Sequence, residues 1–103
     1  MNNEELITLI EAELDLDNGF FGKLREGQFD RASYVRCKQA LDRVHREMQN
    51  AETISRRLVS LLWYIPLFMT WQTERMTGSI EAQEYQRITN EIEGRIEEIL
   101  GVP

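Results

Sequence analysis

The feature that most constrains the fold is the spacing of apolar residues, which recur every three or four positions along most of the chain. After Asp30, the apolar positions are Tyr34, Cys37, Leu41, Val44, Met48 and Ala51. This spacing places the side chains on one face of an α-helix. No segment alternates apolar and polar residues over more than a few positions, so no strand is predicted. The sequence therefore predicts an all-α fold, a compact bundle of four to five helices.

Local signals predict where the helices begin and end. Asn2 is suited to cap the first helix, which we expect to stop near Asp17, and Asp30 is suited to cap the second. A break is predicted around residues 50–53, because a helix continuing to the next apolar run would be on the order of 50 Å long. Ser79 is the predicted cap of the last helix, whose apolar face carries Tyr85, Ile88, Ile92, Ile96 and Ile99.

The most apolar stretch is Leu58 to Met69, which has one polar side chain, Ser60. Twelve residues are too few to span a bilayer, so no membrane interaction is expected. The stretch is typical of a central helix buried on nearly every side. Pro66 lies inside it, and we expect the helix to be kinked or broken there, because the proline ring removes a donor and crowds the preceding turn.

An aromatic cluster surrounds this proline, formed by Trp63, Tyr64, Phe68 and Trp71. A small domain buries four large rings with difficulty. We therefore expect part of the cluster to face a partner or a second copy of the chain, and Trp71 is the residue that we expect to make this contact.

The length of 103 residues predicts a single helical domain over residues 1–103. One cysteine excludes an internal disulfide and favours a reducing compartment. The acidic segment 1–5 has no apolar core and does not resemble a signal peptide, so we expect a cytoplasmic protein.

Residues suited to catalysis or metal binding are scarce. Cys37 and His45 are eight residues apart, with Cys37 on the apolar face and His45 beside an arginine, so neither is expected to bind a metal. The glycines lack phosphate-binding or dinucleotide-binding spacing. No nucleophile lies in a recognisable motif. We expect no enzyme activity and no cofactor; an enzyme with paired carboxylates ranks last among the hypotheses.

Charge is distributed unevenly along the chain. Eighteen acidic and twelve basic residues give a net charge of −6, with six acids and no base in residues 1–22 and nine bases against five acids in residues 23–57. The central bases are spread around their helix without interleaved aromatic residues. The overall acidity also opposes attraction to phosphate, so no nucleic-acid partner is expected.

The acids at the two ends of the chain follow helical spacing. Glu4, Glu11 and Asp15 share one flank of the first helix, and a second flank of the last helix carries Glu84, Glu91 and Glu98. Such flanks are commonly no more than solvated charge. The functional alternative is an acidic surface that attracts a basic protein partner, and either flank is a candidate.

Residues 19–30, with the sequence GFFGKLREGQFD, resemble a stretch found in small bacterial immunity proteins of contact-dependent and other polymorphic toxin systems. The resemblance implies a cytoplasmic protein that binds the catalytic domain of a cognate toxin, expected to be a nuclease, and blocks its active site. It assigns no inhibitory residue. A basic nuclease domain would suit an acidic binder.

The alternative hypothesis is a helical structural or regulatory subunit without catalytic activity. It would associate with itself through the aromatic cluster, and it predicts a homodimer.

Overall fold

The computed structural model describes residues 2–101, and these form an all-α bundle, as predicted. Five α-helices follow one another, namely α1 Asn3–Glu11, α2 Phe20–Arg25, α3 Arg31–Met48, α4 Arg56–Trp71 and α5 Ala82–Leu100. Two 3₁₀ turns, Ala12–Leu14 and Thr73–Met76, follow α1 and α4. Among these described helices, none is long and apolar enough to cross a membrane.

The predicted caps of the first two long segments are confirmed. The Asn2 side chain accepts a hydrogen bond from the Glu5 backbone N–H at 2.9 Å. The Asp30 carboxylate accepts from the Ser33 backbone N–H at 3.2 Å. Each cap satisfies one of the backbone donors that the first turn of a helix leaves without a partner.

The first helical segment ends earlier than the expected Asp17. After the 3₁₀ turn the backbone becomes extended at Asp15. The Asp15 carboxylate then accepts hydrogen bonds from the backbone N–H groups of Asp17 and Asn18, at 3.2 and 2.9 Å. An aspartate that bonds the backbone just ahead of it stabilises a turn in place of further helix.

Three further expectations concern α4 and α5. The predicted break near residues 50–53 is confirmed, because no helix covers the residues between α3 and α4. Of the two outcomes expected at Pro66, the break is wrong, since α4 continues through this proline, and the kink stays a prediction. Ser79 does not cap α5, whose N-cap residue is Glu81; the Ser79 hydroxyl donates to the Gly27 carbonyl.

Polar contacts show how the three long helices run. Ion pairs join α3 to α5 in the same order along both helices, with Arg31 to Glu84, Lys38 to Glu91 and Asp42 to Arg95. These two helices are therefore parallel. The Tyr85 hydroxyl, near the start of α5, donates to the Met69 carbonyl near the end of α4 at 2.6 Å. Helix α4 thus returns the chain antiparallel to α5.

The core lies between these helices and the inner faces of α1 and α2. Its fully buried large side chains include Leu6, Ile10, Phe20, Phe21, Leu24, Tyr34, Leu41, Leu58, Leu62, Ile65, Met69, Met76, Ile88, Ile92 and Ile96. Each apolar side chain that is buried in this way stabilises the fold by roughly 1.5 to 3 kcal/mol.

The segment from the first 3₁₀ turn to α2 is held by a buried carboxylate. Glu13 is 4% exposed and accepts from the Phe20 backbone N–H at 3.0 Å and from two nitrogens of Arg36, both at 2.9 Å. Charge-assisted, paired hydrogen bonds of this kind compensate for removing a carboxylate from water. Glu13 therefore joins the start of α2 to α3.

Glycine at position 22 lets the backbone of the same segment pack directly against α2. A Cβ added at Gly22 would overlap the Asp15 carbonyl and lie 2.7 Å from the Leu16 Cα. A Cβ added at Gly94, within α5, would meet nothing within 4 Å.

We expect Gly22→Ala to lower the free energy of unfolding by about 3 kcal/mol or more, because backbone atoms must move to make room. The matched change Gly94→Ala should raise it by about 0.5 to 1 kcal/mol, since alanine favours helix and meets no obstacle. Urea unfolding followed by circular dichroism measures both. Equal effects of the two changes would contradict the close packing at Gly22.

Candidate functional site

Cys37 and His45, the two residues considered for metal binding, both lie on α3. Cys37 is buried in the core, as predicted, and burial raises the pKa of its thiol. His45 is half-buried. No three His, Cys, Asp or Glu side chains of the described residues converge as metal ligands would.

A polar cluster at the start of α3 has a structural explanation. The Ser33 hydroxyl donates to Asp30 at 2.5 Å, and the Lys23 ammonium lies 2.9 Å from the same carboxylate. Hydrogen bonds from Ser33 and Lys23 lower the pKa of Asp30 to about 2. Because Ser33 is buried, its hydroxyl is closed to a substrate, and the cluster caps the helix.

The three acids of the predicted flank on the first helical segment have different roles. Glu11 pairs with Arg57 of α4 at 2.8 Å. Asp15 accepts the backbone hydrogen bonds of its turn. Glu4 is exposed, and its side chain makes no ion pair within residues 2–101. Only part of this flank is therefore left for a partner.

The three acids of the predicted flank on α5 also differ in their contacts. Glu84 pairs with Arg87 at 2.7 Å and lies 3.7 Å from Arg31, which lowers the pKa of its carboxyl. Glu91 lies between α3 and α5. Glu98 is exposed near the end of α5, with no ion pair in the described part of the chain.

Glu91 is the most heavily bonded carboxylate of this flank. The Tyr34 hydroxyl donates to it at 2.7 Å, and Lys38, Arg87 and Arg95 donate at 3.1, 3.2 and 3.1 Å. The bond from Tyr34, followed by that from Lys38, lowers the pKa of Glu91 from 4.5 to about 2. Burial and the Glu91 charge raise the pKa of Tyr34. These contacts make Glu91 a bridge between helices.

Three acids in the second half of α5 have no such bonds. Glu93, Glu97 and Glu98 are exposed and form no ion pair within residues 2–101. Glu93 and Glu97 are four residues apart, so their like charges repel on one helix face. The last turn carries no basic residue and coincides with the negative end of the helix dipole. We name this set the α5 acidic end; sequence spacing by seven identified only Glu98.

The outer face of α4 is apolar and open. Trp63, Leu67 and Trp71 are 56%, 54% and 63% exposed and follow one another at intervals of four residues. We name them the α4 stripe. The expectation that α4 is buried on nearly every side is therefore wrong, because no other described helix covers this face. Exposure of the predicted Trp71 is confirmed.

Basic residues of the central segment are largely paired within the chain. Six of the nine bases in residues 23–57 form ion pairs with carboxylates, namely Lys23, Arg31, Arg36, Lys38, Arg43 and Arg57. Their charge serves contacts between and within helices.

Comparisons with family models, with curated proteins and with solved structures give no match to this chain.

We expect Glu91→Gln to lower the free energy of unfolding by about 2 kcal/mol at pH 7, because three cations and Tyr34 lose a charged acceptor. Glu98→Gln, the matched change on the same helix, should alter it by less than about 0.5 kcal/mol.

The difference between wild type and Glu91→Gln should also depend on pH. A carboxyl with a lowered pKa stabilises the fold above its unfolded value of 4.5, and this contribution is lost as the pH falls towards about 2. Denaturant unfolding at several pH values measures it. A difference that stays constant from pH 7 to pH 2 would contradict the bridging role.

Proposed function

We propose that this protein is a non-catalytic cytoplasmic inhibitor that binds a basic protein domain through the α5 acidic end. The observation that carries the proposal is the exposure of Glu93, Glu97 and Glu98 without internal cationic partners. Most other acids of the two predicted flanks already bond within the chain. The α5 acidic end therefore keeps its charge available for a partner.

The position of these acids supports a binding role. The repulsion between Glu93 and Glu97 costs a few tenths of a kcal/mol, and acids in the last turn of a helix are unfavourable by roughly 0.3 to 1 kcal/mol. Lysine or arginine side chains of a partner would relieve both effects. They would also be drawn to this end of the molecule over several ångströms, which raises the association rate.

The partner proposed is the catalytic domain of a bacterial toxin, a nuclease by expectation, with the chain acting as its immunity protein. The resemblance of residues 19–30 to immunity proteins supports this choice. In the structure that segment forms α2 and its connections, with Phe20, Phe21 and Leu24 in the core. The surface that meets the toxin is therefore sought outside it. A nuclease domain that attracts phosphate would present the basic surface that the α5 acidic end fits.

A second candidate, a self-associating helical subunit, is favoured by the exposed α4 stripe. It uses a different face of the molecule from the α5 acidic end, and it does not require a toxin.

The proposal is tested by capture from the native host lysate with the tagged protein as bait. We expect the wild type to retain a basic protein that the triple variant Glu93→Gln, Glu97→Gln, Glu98→Gln loses at low salt. The difference between the two should shrink as salt is raised, because salt screens the charges that only the wild type carries. A control variant with the same change in net charge, Glu26→Gln, Glu52→Gln, Glu81→Gln, should retain it. Mass spectrometry identifies the protein, and its activity is then assayed with and without the inhibitor.

Equal capture by the wild type and the α5 variant would contradict the proposed surface. Capture of a basic protein whose activity is unaffected by a stoichiometric amount of inhibitor would contradict inhibition. Unchanged circular dichroism of both variants shows that the fold is intact.

A further inference from the structure

The α4 stripe is the largest group of exposed apolar side chains on one described helix. Trp63, Leu67 and Trp71 are each more than half exposed. Contiguous apolar surface of this kind usually marks an interaction site. We propose that a second copy of this chain covers it, with the two α4 helices packed antiparallel about a twofold axis beside Leu67.

The order of residues makes the stripe complementary to itself. Leu67 stands four residues from a tryptophan on each side, about 6 Å along the helix axis. An antiparallel second copy centred on Leu67 brings Trp63 against the partner's Trp71, and Trp71 against the partner's Trp63. A twofold interface requires the same patch on both subunits, and this pattern meets that requirement.

The charges around the stripe favour the same arrangement. No residue from Leu58 to Gln72 is charged, so the face offers no carboxylate to a basic partner. Arg56, three helical turns before Leu67, is exposed at one end, and Glu74 is exposed beyond the other end. Neither forms an ion pair in the described part of the chain. Antiparallel packing places basic ends towards acidic ends and opposes the two helix dipoles.

The position of Trp71 in the stripe is fixed in part by a neighbouring ring. The Trp71 ring meets Tyr64 edge to face, with ring centroids 6.1 Å apart. Buried aromatic side chains contribute roughly 150 to 250 Å² each, so the exposed parts of the stripe supply on the order of 300 to 400 Å² per copy. This forms the apolar centre of an interface and supplies up to about half of the roughly 800 Å² per partner that a stable complex needs.

The dimer does not rest on the proposed inhibitor function. The stripe and the α5 acidic end share no residue, so the charge-neutral α5 variant should keep the same oligomeric state.

Sedimentation equilibrium of the purified protein tests the interface. The wild type should be a dimer in the micromolar range, and Leu67→Glu should weaken association roughly a hundredfold, because each dimer then buries two unpaired charges at its centre. Val35→Glu is the matched control. Val35 is 42% exposed on α3, outside the stripe, so this variant should remain a dimer. Trp63→Ser gives a second, uncharged test should the glutamate variant fail to fold.

The orientation is tested by cysteine oxidation in a Cys37→Ala background. Leu67→Cys should form a covalent dimer, because the axis brings the two copies of that position together. Trp63→Cys should not, because its two copies lie about 12 Å apart along the helices. A wild type that is monomeric in the micromolar range, or a Leu67→Glu variant that remains dimeric, would overturn the proposal. Covalent dimers from Trp63→Cys and Leu67→Cys alike would overturn the antiparallel arrangement.

Discussion

The Glu91 carboxylate holds α3 and α5 parallel and in register, and this pairing constrains the path of the remaining chain. It accepts from Tyr34 and Lys38 of α3 and from Arg87 and Arg95 of α5. Because α3 and α5 are parallel, the chain between them must run back along the bundle, and α4 crosses in the opposite direction. It packs one face on α5 and α1 and leaves the other open. The exposed stripe of tryptophans follows from this topology.

Bonds within the chain engage some of the acids and leave others exposed. Glu13 and Glu91 join segments distant in sequence, and their charge is compensated by arginine, lysine and backbone donors. Glu93, Glu97 and Glu98 have no such compensation and lie in the second half of α5. The molecule thus combines an acidic end, suited to a basic protein, with an apolar face suited to a second copy. One molecule can use both, because the two surfaces share no residue.

Local features of this fold were predictable from sequence because their causes are local. Helical spacing identified the long helices, and Asn2 and Asp30 cap helices as expected. Which acids remain available was not predictable, because the outward spacing of Glu91 is the same whether it meets solvent or the cations of α3. Likewise, the composition of α4 indicates burial, whereas the number of helices available to cover it decides the exposure of Trp63 and Leu67. Glu13 gave no signal, since its partners Phe20 and Arg36 are brought close only by the fold.

A titration of the Glu91 side-chain carboxyl by nuclear magnetic resonance tests whether this residue bridges α3 and α5. The hydrogen bonds from Tyr34 and Lys38 predict a pKa of about 2, well below the ordinary 4.5. The Tyr34 ring signals should shift in the same transition, since its hydroxyl donates to the carboxylate that titrates. A titration midpoint near pH 4.5, with no accompanying change at Tyr34, would contradict the bridge and indicate that Glu91 faces solvent.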